Sequence, residues 1–164
     1  MIKLLRLDER MIHGQVAIKW SRHYDIDRII VINDEAAEND IVKKSLLMAA
    51  PPTCKTAIQT VAEALVTLKD PRCLPLKILI IVSNPVDLLT VIREIPDIPL
   101  INIGNYGRIA PKTASLERKM YKVNLYAYPQ EVELFQEIIA TGNNCVYQTT
   151  PEESEVPLKS ALNL

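Results

Sequence analysis

Two aliphatic runs restrict what this chain can fold into: Ile29-Ile30-Val31-Ile32 and Ile78-Leu79-Ile80-Ile81-Val82. Neither alternates with polar residues, so a strand built from either must be covered on both faces, as strands inside a parallel sheet are. The intervening segments can supply that cover. After a strand expected over residues 2–7, residues 15–23 place Val16, Ala17 and Trp20 at helical spacing. A helix is predicted over 36–50, stopped by Pro51 and Pro52, whose rings cannot continue the hydrogen-bond ladder. A weaker strand at 55–58 precedes the helical pattern of Val61, Ala62, Leu65, Val66 and Leu68. Beyond the strand at 77–83, Pro85 suits the first turn of a helix, where its missing N–H is not needed. Further strands are predicted at 100–103, ending at Gly104, at 122–126 and at 145–148, with a helix over 129–140 stopped by Gly142.

Strands alternating with helices predict a doubly wound α/β fold, a mostly parallel sheet with helices on both faces. At 164 residues the chain fits a single domain, 1–164, with a core of its own. In such folds ligands sit beyond the carboxyl ends of the strands, which directs attention to the loops after Leu7, Asn33, Ser83 and Ile103.

The net charge of −1 argues against a nucleic-acid partner, so any anion site must be local. Cys54, Cys73 and Cys145 are odd in number and scattered, which indicates neither a disulfide framework nor a zinc site. No cofactor or metal is implied. No apolar run approaches the length needed to span a bilayer, and the first residues lack the apolar core of a signal peptide. A cytoplasmic location is expected.

The loop after the first strand is the densest group of functional side chains: Arg6-Leu7-Asp8-Glu9-Arg10-Met11-Ile12-His13-Gly14-Gln15-Val16. A neutral imidazole at His13 has a ring nitrogen free to attack phosphorus. Gly14 removes bulk beside the backbone, and the N–H groups that open the following helix, Gln15 among them, have no partners inside the helix and favour an anion. Arg10 offers a planar charged fork matched to phosphate oxygens, and Arg6 does so if it faces the loop. Phosphoryl transfer needs such positioning and charge neutralisation more than covalent help from the protein. From the residues alone, a surface His and arginines paired with Asp8 and Glu9 remain an alternative.

The eleven residues from Arg6 to Val16 resemble the phosphorylation motif of enzyme IIB in the mannose/sorbose family of bacterial sugar phosphotransferase systems, with only conservative exchanges. The likeness extends along the chain through Trp20, Asn33-Asp34, Ala49-Ala50-Pro51, Asn84-Pro85 and Asn102-Ile103-Gly104. The resemblance implies a phosphocarrier: a phosphorylated IIA partner gives its phosphoryl group to His13 at Nδ1, and a sugar brought by the membrane subunits IIC and IID receives it. It further implies Arg10 near the phosphate, Asp8 shaping the loop, and peripheral association with the membrane complex. Asn33, Asp34, Asn84 and Asn105 are expected at the rim of the site, and a homo-oligomer is compatible with the pattern. Many family members have two adjacent glycines where this chain has Gly104-Asn105. Asparagine tolerates a left-handed turn, so a neutral turn substitution is one reading; the exchange also resembles the N-acetylgalactosamine-type members, which implies an amino sugar, with mannose, fructose or sorbose as the alternative.

Three rival readings fit less well. A nucleotide-binding module should carry a G-x-G-x-x-G loop after its first strand, whereas residues 6–15 contain Gly14 alone. A receiver domain needs an aspartate at the end of its third strand, and none lies between Lys55 and Glu63. A pure interaction protein leaves the dense loop without a purpose. Elsewhere, His23 is expected to cap its helix. Lys112, Arg118, Lys119 and Lys122 form a basic cluster, read as a solvated loop with partner docking as the minority alternative.

Overall fold

The computed structural model describes residues 1–113 and 115–164. Its elements run β1 (Ile2–Asp8), α1 (Gly14–His23), β2 (Arg28–Ile32), α2 (Asp34–Glu38), α3 (Asp40–Ala49), β3 (Lys55–Gln59), α4 (Val61–Lys69), β4 (Ile78–Val82) and α5 (Pro85–Glu94). The remainder is β5 (Ile101–Asn105), β6 (Lys119–Lys122), β7 (Leu125–Ala127), α6 (Pro129–Ala140), β8 (Cys145–Tyr147), β9 (Val156–Pro157) and α7 (Leu158–Ala161). Seven strands form one sheet in the order β3-β2-β4-β1-β5-β8-β9, parallel except for the β8/β9 pair at one edge. The doubly wound α/β expectation holds.

Alternation along the strands divides the core. Leu5, Leu7, Ile30, Ile32, Ile80 and Val82 face α4, α5, α6 and α7, while Leu4, Ile29, Val31, Leu79 and Ile81 face α1, α2 and α3. Because the chain leaves β1 for the α1 side and leaves β5 for the side that holds α6, a crevice opens between the ends of these adjacent strands.

Most helix starts are fixed by side-chain caps. Asn33 accepts from the N–H of Ala36, Asn84 accepts from Asp87, and Thr60 and Glu63 form a reciprocal capping box. Each such cap contributes about 1 kcal/mol. The same chemistry breaks the helix predicted over 36–50. Asn39 accepts from Ile41 and Val42 N–H, so the chain restarts there as α3. A polar side chain competing for backbone donors wins over the continuous apolar pattern.

Two further expectations change. The strand predicted at 122–126 is an antiparallel hairpin, β6 with β7, whose turn falls inside that range. Nor does the fifth strand end at Gly104. Leu7 pairs with Ile103 and Asp8 with Asn105, so Gly104 is skipped and β5 runs on to Asn105. A Cβ at Gly104 would lie 2.1 Å from the Arg6 guanidinium carbon, so here glycine admits a side chain from the neighbouring strand. Asn105 is part of a buried strand and not of a left-handed turn.

Candidate active site

Strand alternation sends Leu4, Arg6 and Asp8 to the α1 side of the sheet. There Arg6, only 2% exposed, lies beneath the Trp20 ring with 5.5 Å between guanidinium carbon and centroid. It donates to the side chain of Asn102, to the carbonyl of Gln148 at 3.2 Å and to Asp8 Oδ2 at 3.1 Å. Burial pulls the Arg6 pKa down, and the charge of Asp8 opposes that shift. An arginine nevertheless stays protonated inside proteins. Its charge keeps a buried carboxylate company at Asp8, whose 0% exposure would otherwise make ionisation costly.

Asp8 distributes that charge. Oδ1 accepts from the Arg10 backbone N–H at 3.1 Å, which tightens the loop, and Oδ2 lies 2.9 Å from His13 Nε2. An ionised carboxylate only accepts, so the proton of the neutral imidazole must sit on Nε2. Nδ1 is left with the lone pair. The ring, 18% exposed, is therefore oriented from below and open from above.

The loop reaches α1 through Met11 at φ 62° and Gly14 at φ 47°. A Cβ at Gly14 would meet no protein atom within 4 Å, so among the protein's own contacts it is the left-handed backbone that calls for glycine. His13 is the N-cap residue, yet its side chain caps nothing, and the first turn of α1 has no acidic residue. The opening N–H groups of α1 keep their positive end of the helix dipole uncancelled beside His13.

A cavity of about 360 Å³ lies over this group, walled by Asp8, Arg10, His13, Asn105 and Arg108 among others. Neither Arg10 nor Arg108 has a carboxylate within ion-pair distance among the described residues, unlike Arg6. Asn105 Oδ1 is buried and has no hydrogen-bond partner among the described residues. Cations without a counter-charge and a ring nitrogen with a lone pair suit a transient anion better than a permanent one.

The expected site residues thus separate. Arg6, Asp8, Arg10, His13 and Asn105 share the cavity lining, and Arg6 also contributes through its bond to Asp8. Gly14 and Gln15 are outside its lining and offer backbone at the start of α1. Asn33, Asp34 and Asn84 lie elsewhere and are occupied: Asn33 caps α2 and donates to Ser83, Asp34 accepts from Val61 N–H at 2.8 Å, and Asn84 caps α5. Glu9, expected only as a surface partner of the arginines, lines the cavity, as do Arg108, Ile109, Asn124 and Thr149, for which no role was expected. Their only sequence signal is position, since Arg108 and Thr149 closely follow strand ends.

The basic cluster is largely neutralised within itself. Arg118 reaches Glu131 at 2.8 Å, Lys112 reaches Glu117 at 2.9 Å, and Lys119 lies over the Tyr121 ring. His23 packs edge-on against Trp20 and Tyr24 in the last turn of α1.

Residues 2–164 match the family model of the PTS (phosphotransferase system) sorbose subfamily IIB component. The chain belongs to this family. As a IIB component it is a phosphotransferase of a sugar-transport system that works with IIA and IIC/IID partners. It is 31% identical over 164 residues to a probable phosphotransferase enzyme IIB component of Streptococcus pyogenes, covering 99% of this chain and 100% of that one. It is 27% identical to the sorbose-specific EIIB component of Klebsiella pneumoniae, covering 99% and 95%. The crystal structure of the IIBSor domain of the Klebsiella pneumoniae sorbose permease superposes with a TM-score of 0.88 at 26% identity, covering 99% of this chain and 96% of that chain. Among the described residues, no helix of this IIB component is long and apolar enough to cross a membrane.

Proposed function

We propose that His13 accepts a phosphoryl group at Nδ1 from phosphorylated IIA and passes it to an amino sugar, of the N-acetylgalactosamine type, delivered by IIC and IID. The chain of hydrogen bonds from Arg6 through Asp8 to His13 Nε2 carries this reading, because it leaves Nδ1 as the nucleophile. In the first step the Nδ1 lone pair forms a bond to phosphorus while the bond to the donor's leaving atom breaks. In the second a sugar hydroxyl oxygen attacks phosphorus, the Nδ1–P bond breaks, and the released ring takes up the hydroxyl proton before losing it to water. Throughout, Nε2–H stays on Asp8, and Arg10 opposes the charge on the phosphoryl oxygens. The work is done away from the bilayer, at the surface of the membrane complex.

Support for the amino sugar is Asn105. Its unpartnered Oδ1 in the cavity wall is an acceptor for an acetamido N–H or a neighbouring hydroxyl, and a buried acceptor gains most when it finds a donor. Incubation with phosphoenolpyruvate, the general phosphotransferase proteins and IIA should label the chain once. His13→Ala removes the label, whereas His23→Ala keeps it; the opposite pattern rejects His13. In membranes carrying IIC and IID, phosphorylation of N-acetylgalactosamine should exceed that of mannose, fructose and sorbose. Preference for mannose, fructose or sorbose would reject the amino sugar and leave the phosphocarrier step standing.

A further inference from the structure

Glu9 sits between two residues of the phosphoryl path, yet it is only 7% exposed and its carboxylate is taken up elsewhere. It crosses to the loop after β5 and accepts from four consecutive backbone N–H groups. Those of Gly107, Arg108 and Ala110 lie 3.0, 2.9 and 3.0 Å away, and that of Ile109 is 3.3 Å from both oxygens. Successive N–H groups converging on one anion fix a loop as few other contacts do. Gly107, at φ 99°, presses the loop against β7, where a Cβ would lie 1.9 Å from the Tyr126 carbonyl oxygen.

What this anchoring fixes is Arg108. Its guanidinium donates to the Val123 carbonyl and lies 5.6 Å from the Tyr126 ring centroid, while the residue borders the His13 cavity. A guanidinium has five N–H donors, and the contact with Val123 uses only part of them. Its charge is therefore held in place without being cancelled. A protein-bound phosphoryl group brings three acceptor oxygens and roughly two negative charges at neutral pH, more than Arg10 alone can balance.

We infer that Arg108 is a second cation for the phosphoryl group on His13 and that Glu9 is the residue that positions it. Arg108 contacts the transferring group; Glu9 acts only through the loop, its own charge absorbed by the backbone N–H groups. The inference rests on His13 being the acceptor. It predicts a particular coupling between two substitutions. With phosphorylated IIA as donor, Arg108→Ala lowers the turnover rate about tenfold or more with a smaller change in KM, and Arg108→Lys restores part of it. Glu9→Gln lowers the rate in the parent chain but adds nothing in the Arg108→Ala background. Its effect on the thermal midpoint, in contrast, persists in both backgrounds, because the loop contacts it weakens are present in both.

Four chains and their melting curves decide the matter. Rates in which the two substitutions multiply independently overturn the positioning role, and a parent-like Arg108→Ala rate overturns the second cation. A His13→Ala control that still takes up label removes the acceptor itself and the inference with it. Label lost from that control but unaffected by Arg108→Ala rejects this inference alone.

Discussion

Replacing Asp8 by Asn tests the charge relay directly, because the exchange keeps size and shape while removing the carboxylate. Arg6 would then be a cation at 2% exposure with no counter-charge, and the 3.1 Å ion pair would be gone. Removing one partner of a buried pair costs about 3–5 kcal/mol. Arg6 keeps the Asn102 side chain and the Gln148 carbonyl as acceptors, which places the cost near the lower end, about 3 kcal/mol. For a chain of 164 residues the thermal midpoint should fall by about 6–12 °C. Catalysis should suffer more than stability. An amide at position 8 can donate to Nε2, which moves the ring proton to Nδ1 and blocks the nucleophile, and such a tautomer reversal costs on the order of a thousandfold or more. Phosphoryl uptake from phosphorylated IIA, measured well below the lowered midpoint, gives the rate, and nitrogen NMR of the His13 ring gives the tautomer. Transfer by Asp8→Asn at close to the parental rate, or an Nε2–H ring in that variant, would refute the relay.

Gly104→Ala should displace Arg6, since the new methyl would lie 2.1 Å from its guanidinium carbon; we expect a loss of about 1–3 kcal/mol in chemical denaturation and a slower transfer to His13. Glu131 supplies a pH test. Burial pushes its carboxyl up, but bonds from Arg118, Tyr106 and the Tyr128 N–H prevail and hold it below the ordinary 4.5. A group with a depressed folded pKa stabilises the fold above that ordinary value and loses its contribution as pH falls toward the folded one. Glu131→Gln should thus cost about 1–2 kcal/mol at neutral pH. The gap to the parent chain should close below pH 4.5, as followed by thermal melts across pH.

The central strands were legible because nothing competes with an unbroken aliphatic run for a place between two helix layers. The helices with Pro at their first turn, α5 and α6, begin where that residue demands. Asn39 was less legible, since a polar residue inside a helical pattern reveals its capping role only when its φ and ψ are known. The hairpin of β6 and β7 hides in a stretch too short for periodicity to show a reversal. At the site, sequence proximity exposed Asp8, Arg10 and His13, which lie within one loop. It could not expose Arg108, Asn124 or Thr149, because the β1/β5 neighbourhood that assembles them is a property of sheet order. Arg6 lines the same cavity, but its second task, holding Asp8 from under Trp20, is not legible in sequence because it depends on the phase of the strand.

Trp20, the chain's single tryptophan, is 1% exposed, lies over the Arg6 guanidinium and donates through Nε1 to the Thr149 carbonyl at 3.1 Å. Its indole is thus in contact with the foundation of the relay on one side and with the cavity wall on the other. Intrinsic fluorescence becomes a local gauge: emission from this protein reports on the seating of Arg6 and on strain reaching Thr149, with no second indole to dilute the signal and no dye to attach.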